Sequence, residues 1–362
     1  MNEKFILTGG GTMGSVTPLL AVAEELKKRE PSAEFLWLGT KSGPEKKLVE
    51  LYNIKFAAIP AGKLRRYFSG WNFLTPFLIA AGFFKSLWMI FKFKPRMILS
   101  AGGFVAVPVI WAGWFLRVPS LVHQQDVRPG LANKLTAPFA KIVTVTFQES
   151  LKYFPGAVVT GNPVRAEIFS GNRDRAAEIF NLEKDLPTLF VLGGGTGALE
   201  LNKIVVAAAP ELVKFCQVVH MTGGRINESL RSEIETIKRE TSRYHSVDFL
   251  MKDLPDVFAA ADLVISRAGM STLSELSVLG KPTVLIPISG SHQEDNAYYF
   301  KKQNAVAFWD GRKLTSENFT AAVSELINDK TELANLSRNI KKVIPSGAAE
   351  KMVEGVFKAV KK

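Results

Sequence analysis

Residues 4–14 read KFILTGGGTMG, and residues 188–197 read TLFVLGGGTG. In both stretches an apolar run of strand length leads directly into three glycines and a threonine. A strand, a glycine turn and a helix open a nucleotide-binding α/β unit, in which main-chain amides approach a phosphate. Because this pattern occurs once in each half of the chain, we predict two Rossmann-like domains.

Strand-like and helical segments alternate after both glycine turns, which is typical of parallel sheets with helices on both faces. The expected strands are 5–8, 34–38, 96–100, 120–123, 188–192, 262–266 and 283–287. A Gly-Asn-Pro sequence and mixed charge break the pattern in 161–175. We therefore place one domain at 1–162, joined by the last helix in 347–362, and the other at 163–346.

The amino-acid composition excludes several classes of protein. The 362 residues fit two ordinary domains, and a hydrophobic fraction of 47% excludes a disordered chain. A single cysteine, Cys216, excludes an internal disulfide and a cysteine-rich zinc site. We expect a reducing compartment, and no export signal is visible in the first residues.

Charge is distributed unevenly along the chain. Residues 1–162 hold 20 basic and 9 acidic side chains, a net of +11, whereas residues 163–362 hold 26 and 25, a net of +1. No acidic residue lies between Glu50 and Asp126, where basic residues alternate with aromatic ones. The density of aromatic residues favours an anionic membrane surface over nucleic acid.

The aromatic residues of this segment suggest how it meets a membrane. Helical spacing places three of them on one stripe, with lysines beside it, so we expect an interfacial helix. The predicted membrane residues are Phe77, Phe84, Lys85, Trp88 and Lys92. The alternative is a spanning helix, because residues 73–91 are mostly apolar and nearly long enough. Pro76, Lys85 and the strand that follows weaken this alternative.

The first glycine turn also matches Gly9-x-Gly11-x-x-Gly14, the dinucleotide fingerprint. An NAD enzyme needs a carboxylate at the tip of the second strand to hold the ribose. Here that tip is Gly39-Thr40, so the sequence does not favour a dehydrogenase. The remaining structural interpretation is that the glycines only permit a tight turn.

Polar residues are densest in the second half. The expected strand 262–266 leads into Arg267 and the helix start 268–275, where Ser271 or Thr272 could cap the helix. A capping box would explain Glu275 on structural grounds alone. A second polar segment, HQEDNA at 292–297, is expected to be a loop that reads a hydroxyl-rich ligand.

These segments together resemble the MurG family of N-acetylglucosaminyltransferases, which convert lipid I to lipid II. The resemblance rests on their order and spacing along nearly the whole chain. The matching segments are GGT at 10–12, SAGGFVAVP at 100–108, HQQD at 123–126, GLANK at 130–134, GNPVR at 161–165, LGGGTGALELN at 192–202, FL at 249–250, SRAGMSTLSEL at 266–276 and HQEDNA at 292–297.

The resemblance implies a GT-B fold, with two Rossmann-like domains facing a deep cleft, and it implies inversion at the anomeric carbon. UDP-N-acetylglucosamine would be the donor, bound mainly by the C-terminal domain, with Glu275 on the ribose and Leu250 beside the uracil. The residues expected around this donor are Thr12, Gly14, Arg165, Gly195, Thr196, Leu250, Met270, Glu275, His292, Gln293 and Asn296.

The resemblance places the acceptor, a polyprenyl-pyrophosphate-linked sugar, on the N-terminal domain at the cytoplasmic side of the membrane. The expected acceptor residues are Gly10, Gly11, Ser15, Gly102, Gly103 and Asn133. Two departures from the family pattern affect the base: Ser15 replaces a histidine and Asp126 replaces an amide. We therefore expect Asp126 or His123 to be the general base, with a capping role as the structural alternative for Asp126.

Glycosyl transfer also needs positive potential at the departing diphosphate. The chain contains no Asp-x-Asp pair, so we predict no bound metal and no cofactor, with helix N-termini and Arg165 taking that role. Two alternatives remain open, namely a related lipid glycosyltransferase with another acceptor and a non-catalytic protein that only binds a UDP-sugar.

Overall fold

The computed structural model describes residues 3–62, 71–194, 198–224 and 226–360. The chain divides into two compact units. The first unit comprises Met1–Arg165 and Pro345–Lys362, and the second comprises Ala166–Ile344. The first boundary lies three residues beyond the predicted joint, so Arg165 belongs to the first unit and not, as expected, to the second.

The first unit alternates strands and helices in its described residues. Its strands are β1 (Lys4–Thr8), β2 (Glu34–Gly39), β3 (Lys55–Ala58), β4 (Met97–Ser100), β5 (Ser120–Gln124), β6 (Ile142–Val145) and β7 (Val158–Val159). Its helices are α1 (Thr17–Arg29), α2 (Glu45–Leu51), α3 (Trp71–Phe93), α4 (Ala106–Phe115), α5 (Leu131–Thr136) and, at the end of the chain, α14 (Ala348–Val360).

The second unit repeats this alternation. Its strands are β8 (Thr188–Leu192), β9 (Gln217–Met221), β10 (Tyr244–Val247), β11 (Leu263–Ser266), β12 (Thr283–Leu285) and β13 (Ala307–Phe308). Its helices are α6 (Arg173–Phe180), α7 (Leu199–Leu212), α8 (Glu228–Glu240), α9 (Leu254–Ala260), α10 (Met270–Leu279), α11 (His292–Lys302), α12 (Ser316–Asn328) and α13 (Lys330–Ile340).

Both sheets are parallel and share one strand order. The first sheet runs β3-β2-β1-β4-β5-β6-β7, and the second runs β10-β9-β8-β11-β12-β13. In each, the order reverses between the first and fourth strands of the unit, which is the doubly wound Rossmann arrangement. Ligands of such sheets bind at the carboxyl ends of the strands beside this reversal.

Apolar side chains on both faces of the first sheet explain its stability. On one face, Leu7 and Leu19 pack in a buried cluster with Met352 and Val356 from α14. On the other face, Ile6 and Val109 belong to a separate buried cluster with residues of α4. The last helix of the chain therefore completes the core of the first unit.

Two local predictions in the second half are wrong. The polar segment 292–297 is not a loop: α11 begins at His292, because the hydroxyl of Ser291 accepts the amide of Gln293 and caps the helix. Helix α10 begins earlier than expected, with Gly269 at its N-cap position. Glu275 is therefore in the second turn, where a capping box cannot explain it.

Helix α3 has the length and composition of a membrane span over Phe73–Phe93. In its most apolar stretch of 18 residues, 22% of the residues are buried. It packs against α4, and Ser86 and Ile90 are buried. The strands before and after it, β3 and β4, are parallel members of one sheet. This connection is a crossover that lies along the sheet, which argues against a membrane span.

The packing of α14 predicts a measurable loss of stability on truncation of its buried side chains. Met352 is fully buried, so Met352→Ala should lower the free energy of unfolding by about 2–5 kcal/mol, through lost burial and the cavity left behind. Denaturant unfolding checks this. Glu354→Ala, on the exposed side of the same helix, is the control and should change stability by less than about 0.5 kcal/mol. Equal effects would contradict the packing.

Candidate active site

The glycine turn after β1 and the loop after β4 touch each other. A Cβ atom on Gly103 would lie 2.8 Å from the carbonyl oxygen of Gly10, and Gly103 has a φ of +91°. Both the space and the backbone conformation therefore require glycine. This contact brings the predicted acceptor residues Gly10, Gly102 and Gly103 together at the strand-order reversal of the first sheet, and Ser15 lies buried beside them.

A buried carboxylate holds the first glycine turn. Glu45 is fully buried at the start of α2, and its oxygens accept the amide of Thr40 at 2.7 Å and the Thr40 hydroxyl. The amide of Gly11 donates to the same carboxylate at 3.2 Å. We expected the Gly11 amide to face an acceptor phosphate, but in this structure it is directed at Glu45.

Side-chain amides order the loop after β5. Gln124 donates to the carbonyl oxygens of Asp126 at 2.8 Å and Arg128 at 3.3 Å, and its own oxygen accepts the side-chain amide of Asn133 at 2.7 Å. Gln125 donates to the carbonyl of Ala101 in the neighbouring loop at 2.9 Å. These bonds fix the backbone of Asp126, whose side chain is half-buried. Asn133 therefore supports the loop after β5 through its bond to Gln124.

His123 is fully buried within β5. Its Nε2 donates to the Asn162 side-chain oxygen at 2.9 Å, so Nδ1 accepts from the Thr144 hydroxyl, also at 2.9 Å. Burial lowers the pKa of His123 to about 4, against the smaller opposing effect of the Asn162 bond. With both nitrogens engaged inside the protein, this geometry favours Asp126 over His123 as the base.

The second unit has an analogous buried histidine on its second strand. His220 at the end of β9 lies 2.8 Å from the Tyr244 hydroxyl and 3.1 Å from the Asn202 side-chain oxygen. The amide of Asn202 donates to the carbonyl of Thr222 at 2.9 Å. This network ties α7 to the loop after β9. Burial lowers the pKa of His220 to about 3, so it remains neutral near pH 7.

Three helices of the second unit begin close to the carboxyl ends of its strands: α7 after β8, α10 after β11, and α11 after β12. The side chain of Asn296 on α11 donates to the carbonyl of Ala268 at 3.1 Å. Arg267 donates to the carbonyls of Ile286 at 3.0 Å and Pro287 at 3.2 Å. Those bonds join the turns before α10 and α11, and the helix N-termini favour an anion.

The predicted donor residues fall into three groups. Met270, Glu275 and Leu250 are buried, the first two on α10 and the third after β10. On α11, His292 is exposed and Asn296 is buried, and the Gln293 side-chain oxygen accepts the amide of Ile288. The remaining predicted residues lie elsewhere: Gly195 and Thr196 outside the described residues, and Thr12, Gly14 and Arg165 in the first unit.

Comparison with known proteins identifies the family. The N-terminal domain model of glycosyltransferase family 28 matches residues 5–145, and the C-terminal domain model matches residues 188–352. A UDP-N-acetylglucosamine--N-acetylmuramyl-(pentapeptide) pyrophosphoryl-undecaprenol N-acetylglucosamine transferase from Legionella pneumophila is 36% identical over 94% of this chain and 93% of its own. A Clostridium novyi protein of the same description is 39% identical over 90% and 91%. The chain belongs to the MurG family.

Solved structures agree at the level of the fold. Acinetobacter baumannii MurG superimposes with a TM-score of 0.72 at 23% identity, covering 98% of this chain and 99% of that one. A Neisseria meningitidis UDP-GlcNAc 2-epimerase gives a TM-score of 0.69 at 15% identity over 98% and 100%. The predicted α/β class with two Rossmann-like domains of the GT-B fold is confirmed, and the MurG family makes the protein a glycosyltransferase.

Sequence reasoning missed three residues that build the site. Glu45 was missed because an acidic residue in the first turn of a short helix is usually exposed to solvent. Arg267 carried a usable signal, since a basic residue directly after a buried strand stands at the ligand-binding edge of the sheet. Asn202 reads as an ordinary helix residue, and only the fold brings it to His220.

Because His123 is buried, we expect the stability of the folded protein to fall in acid. Its pKa is lower in the folded protein than in the unfolded chain, so stability falls as pH drops below the unfolded value of 6.5 towards 4. Between pH 7 and pH 5 this one group should remove about 2 kcal/mol from the free energy of unfolding. Denaturant unfolding at both pH values checks this. The loss should shrink by that amount in His123→Gln and stay unchanged in His292→Gln, an exposed control; an unchanged loss in both would contradict the assignment.

Proposed function

We propose that this protein transfers N-acetylglucosamine from UDP-N-acetylglucosamine to the muramyl sugar of lipid I, which gives lipid II, with inversion at the anomeric carbon. Identity of 36–39% to transferases of that description, over nine-tenths of the chain, carries the proposal. The two strand-order reversals support it, because each unit offers one ligand site at the carboxyl edge of its sheet.

The second unit is the proposed donor site. Helix α10 starts at Met270, directly after the turn that holds Arg267, so a helix N-terminus and a guanidinium lie close to one another. Burial lowers the pKa of Arg267, with Glu200 opposing this, yet arginine stays charged at neutral pH. Positive potential of this kind stabilises the diphosphate that departs during transfer. Together with the main-chain amides at the helix starts of this unit, it would serve without a bound metal.

The first unit is the proposed acceptor site. The acceptor hydroxyl must lose a proton as it attacks the anomeric carbon, and we assign that proton to Asp126. The support is geometric: Gln124 fixes the Asp126 backbone at the end of β5, and the carboxylate is half-buried. Ser15 cannot replace it, since a hydroxyl remains protonated near neutral pH. The Ser15 hydroxyl instead donates to the Thr12 carbonyl at 3.3 Å.

Helix α3 provides the proposed membrane contact at the cytoplasmic side of the cell membrane. Its side chains Phe73, Phe77, Phe84, Trp88 and Phe91 are between 58% and 74% exposed, and we call them the α3 apolar face. The Lys92 ammonium lies over the Trp88 ring, 5.1 Å from its centroid. An exposed aromatic stripe with flanking lysines is typical of helices that lie in an anionic membrane interface.

The decisive assay incubates the purified protein with UDP-N-acetylglucosamine and a lipid I analogue. We expect UDP release together with a disaccharide product. Transfer to a diacylglycerol acceptor in place of the lipid I analogue would indicate the related lipid glycosyltransferase. Binding of UDP-N-acetylglucosamine without any turnover would indicate a protein that only binds the donor.

Glu275 should hold the donor ribose. Loss of a charged hydrogen-bonding group costs about 1.5–3 kcal/mol, so Glu275→Gln should weaken UDP-N-acetylglucosamine binding about 10- to 150-fold in calorimetric titration. The melting temperature should change little, because glutamine keeps the size of the buried Glu275 side chain and can still hydrogen-bond. Glu325→Gln, on the exposed side of α12, is the control. A stability loss with intact donor binding would assign Glu275 a structural role.

Asp126 should govern the rate and not donor affinity. General-base assistance contributes roughly 10²- to 10⁴-fold, so Asp126→Asn, which is close in size, should lower kcat by at least about 10²-fold. Steady-state kinetics with the lipid I analogue measures this. Glu149→Gln is the control, because Glu149 is an exposed carboxylate of the same unit. An Asp126→Asn variant as active as the parent would rule out this base.

A further inference from the structure

Two basic residues take a backbone conformation that their type disfavours. Among the described residues, five that are not glycine have positive φ: Asn53, Lys94, Arg117, Asn181 and Asn304. Asparagine enters this left-handed region readily, whereas other side chains pay a steric penalty there. The two exceptions, Lys94 at φ +55° and Arg117 at φ +58°, follow the ends of α3 and α4.

Arg117 stands where a helix normally ends in glycine. Its amide donates to the carbonyl of Trp114 at 3.0 Å, and the amide of Val118 donates to that of Gly113 at 2.8 Å. This pair of bonds is the Schellman motif, in which the left-handed residue is usually glycine. Glycine would make both bonds without steric cost, so the turn does not explain the arginine. An uncompensated local cost of this kind points to a function of the side chain.

The side chain of Arg117 lines an open groove of about 640 Å³ at the amino-terminal edge of the first sheet. Arg96 and Lys141 line it as well, and Arg96 forms an ion pair with Glu3, which is not part of the lining. Lys141 donates to the carbonyl of Ala359 at 3.0 Å and Arg96 to that of Val360 at 3.4 Å, so the end of α14 holds both in place. Arg117 is exposed and has no ion-pair partner among the described residues.

Aromatic side chains connect the groove to the α3 apolar face. Trp114, which is 57% exposed, contacts Phe139 edge-on with a centroid distance of 5.1 Å, and both line the groove. The adjacent Phe115, 63% exposed, contacts Phe83 of α3 with a centroid distance of 6.1 Å, and Phe83 contacts Phe84 of the α3 apolar face at 5.6 Å. The exposed aromatic surface therefore continues from α3 to the groove, where Arg117 and Lys141 lie beside the ion-paired Arg96.

We infer that this groove binds the phosphate of an anionic phospholipid, with Arg117 as its direct ligand. A guanidinium bonds a phosphate through two parallel N–H donors, and an amphipathic tryptophan favours the depth of the headgroups. The inference rests on the proposed membrane association and adds a defined headgroup site to it. From its left-handed position after α4, Arg117 lines the groove beside the exposed Trp114 side chain.

The test measures binding to phosphatidylcholine vesicles with and without phosphatidylglycerol. Arg117→Gly should bind phosphatidylglycerol vesicles more than about fivefold more weakly, since one basic residue at an anionic surface contributes about fivefold and a direct bond to the phosphate adds to that. Its melting temperature should equal or exceed that of the parent, because glycine suits the conformation. Arg117→Asn, which also tolerates this conformation, repeats the measurement if the glycine variant does not fold.

Lys85→Gln is the matched control, since it removes one charge from α3 outside the groove. Lys85→Gln should weaken binding by at most about fivefold, the contribution of one diffuse surface charge, and Arg117→Gly should weaken it more. Equal losses would show diffuse surface charge and overturn the headgroup site, as would an Arg117→Gly variant that binds like the parent. Displacement of the vesicles by inorganic phosphate at millimolar concentration would indicate a site for free phosphate and would also overturn the inference.

The glycosyl-transfer assay separates this inference from the proposed function. Transfer to a water-soluble acceptor analogue, measured for the parent protein without vesicles, does not depend on the groove. Failure of that transfer with normal vesicle binding would contradict the enzyme assignment and leave the groove intact. Normal transfer with equal vesicle binding by the parent and Arg117→Gly would contradict the groove alone.

Discussion

The close approach of Gly103 to the main chain of Gly10 is the contact on which the first half of the site depends. It exists because β1 and β4 are neighbours in the sheet, so the loops that leave their carboxyl ends share one crevice. Any side chain at Gly103 would push these loops apart. Glu45 then fixes the Gly11 amide from behind, and the loop after β5 joins through Gln125 and Ala101.

Both units place a neutral, fully buried histidine behind their ligand edge. His123 bonds Thr144 and Asn162, and His220 bonds Tyr244 and Asn202. Each ring joins elements that carry ligand loops, and burial keeps each ring uncharged. The histidines thus hold the loops, while the groups assigned to the chemistry, Asp126 and Glu275, lie on other elements.

Much of the fold could be predicted because strands in a parallel sheet are continuous apolar runs bounded by glycine turns. The observed β1, β2, β5 and β8 lie within one residue of the predicted limits. The HQEDNA segment was mistaken for a loop because its polar residues show no apolar periodicity. What starts α11 there is one hydroxyl, that of Ser291, and a single cap leaves little trace in a hydrophobic pattern.

Tertiary bonds explain the remaining errors. Nothing in the local sequence shows that the Gly11 amide is taken by Glu45, which lies 34 residues away. His123 was a reasonable base from its place at a strand end, but the Thr144 and Asn162 side chains that engage it come from distant segments. The sequence alone shows that Ser15 replaces the histidine of the family pattern. The identity of the base, however, depends on how Gln124 and Asn133 order the loop that carries Asp126.

We propose that main-chain amides, helix N-termini and arginine side chains stabilise the diphosphate as it departs. The most direct measurement is the rate of N-acetylglucosamine transfer to the lipid I analogue in excess chelator, with and without added Mg²⁺ or Mn²⁺. We expect the same rate under all of these conditions. Loss of activity in chelator, restored by either ion, would contradict it and assign the charge on the diphosphate to a metal.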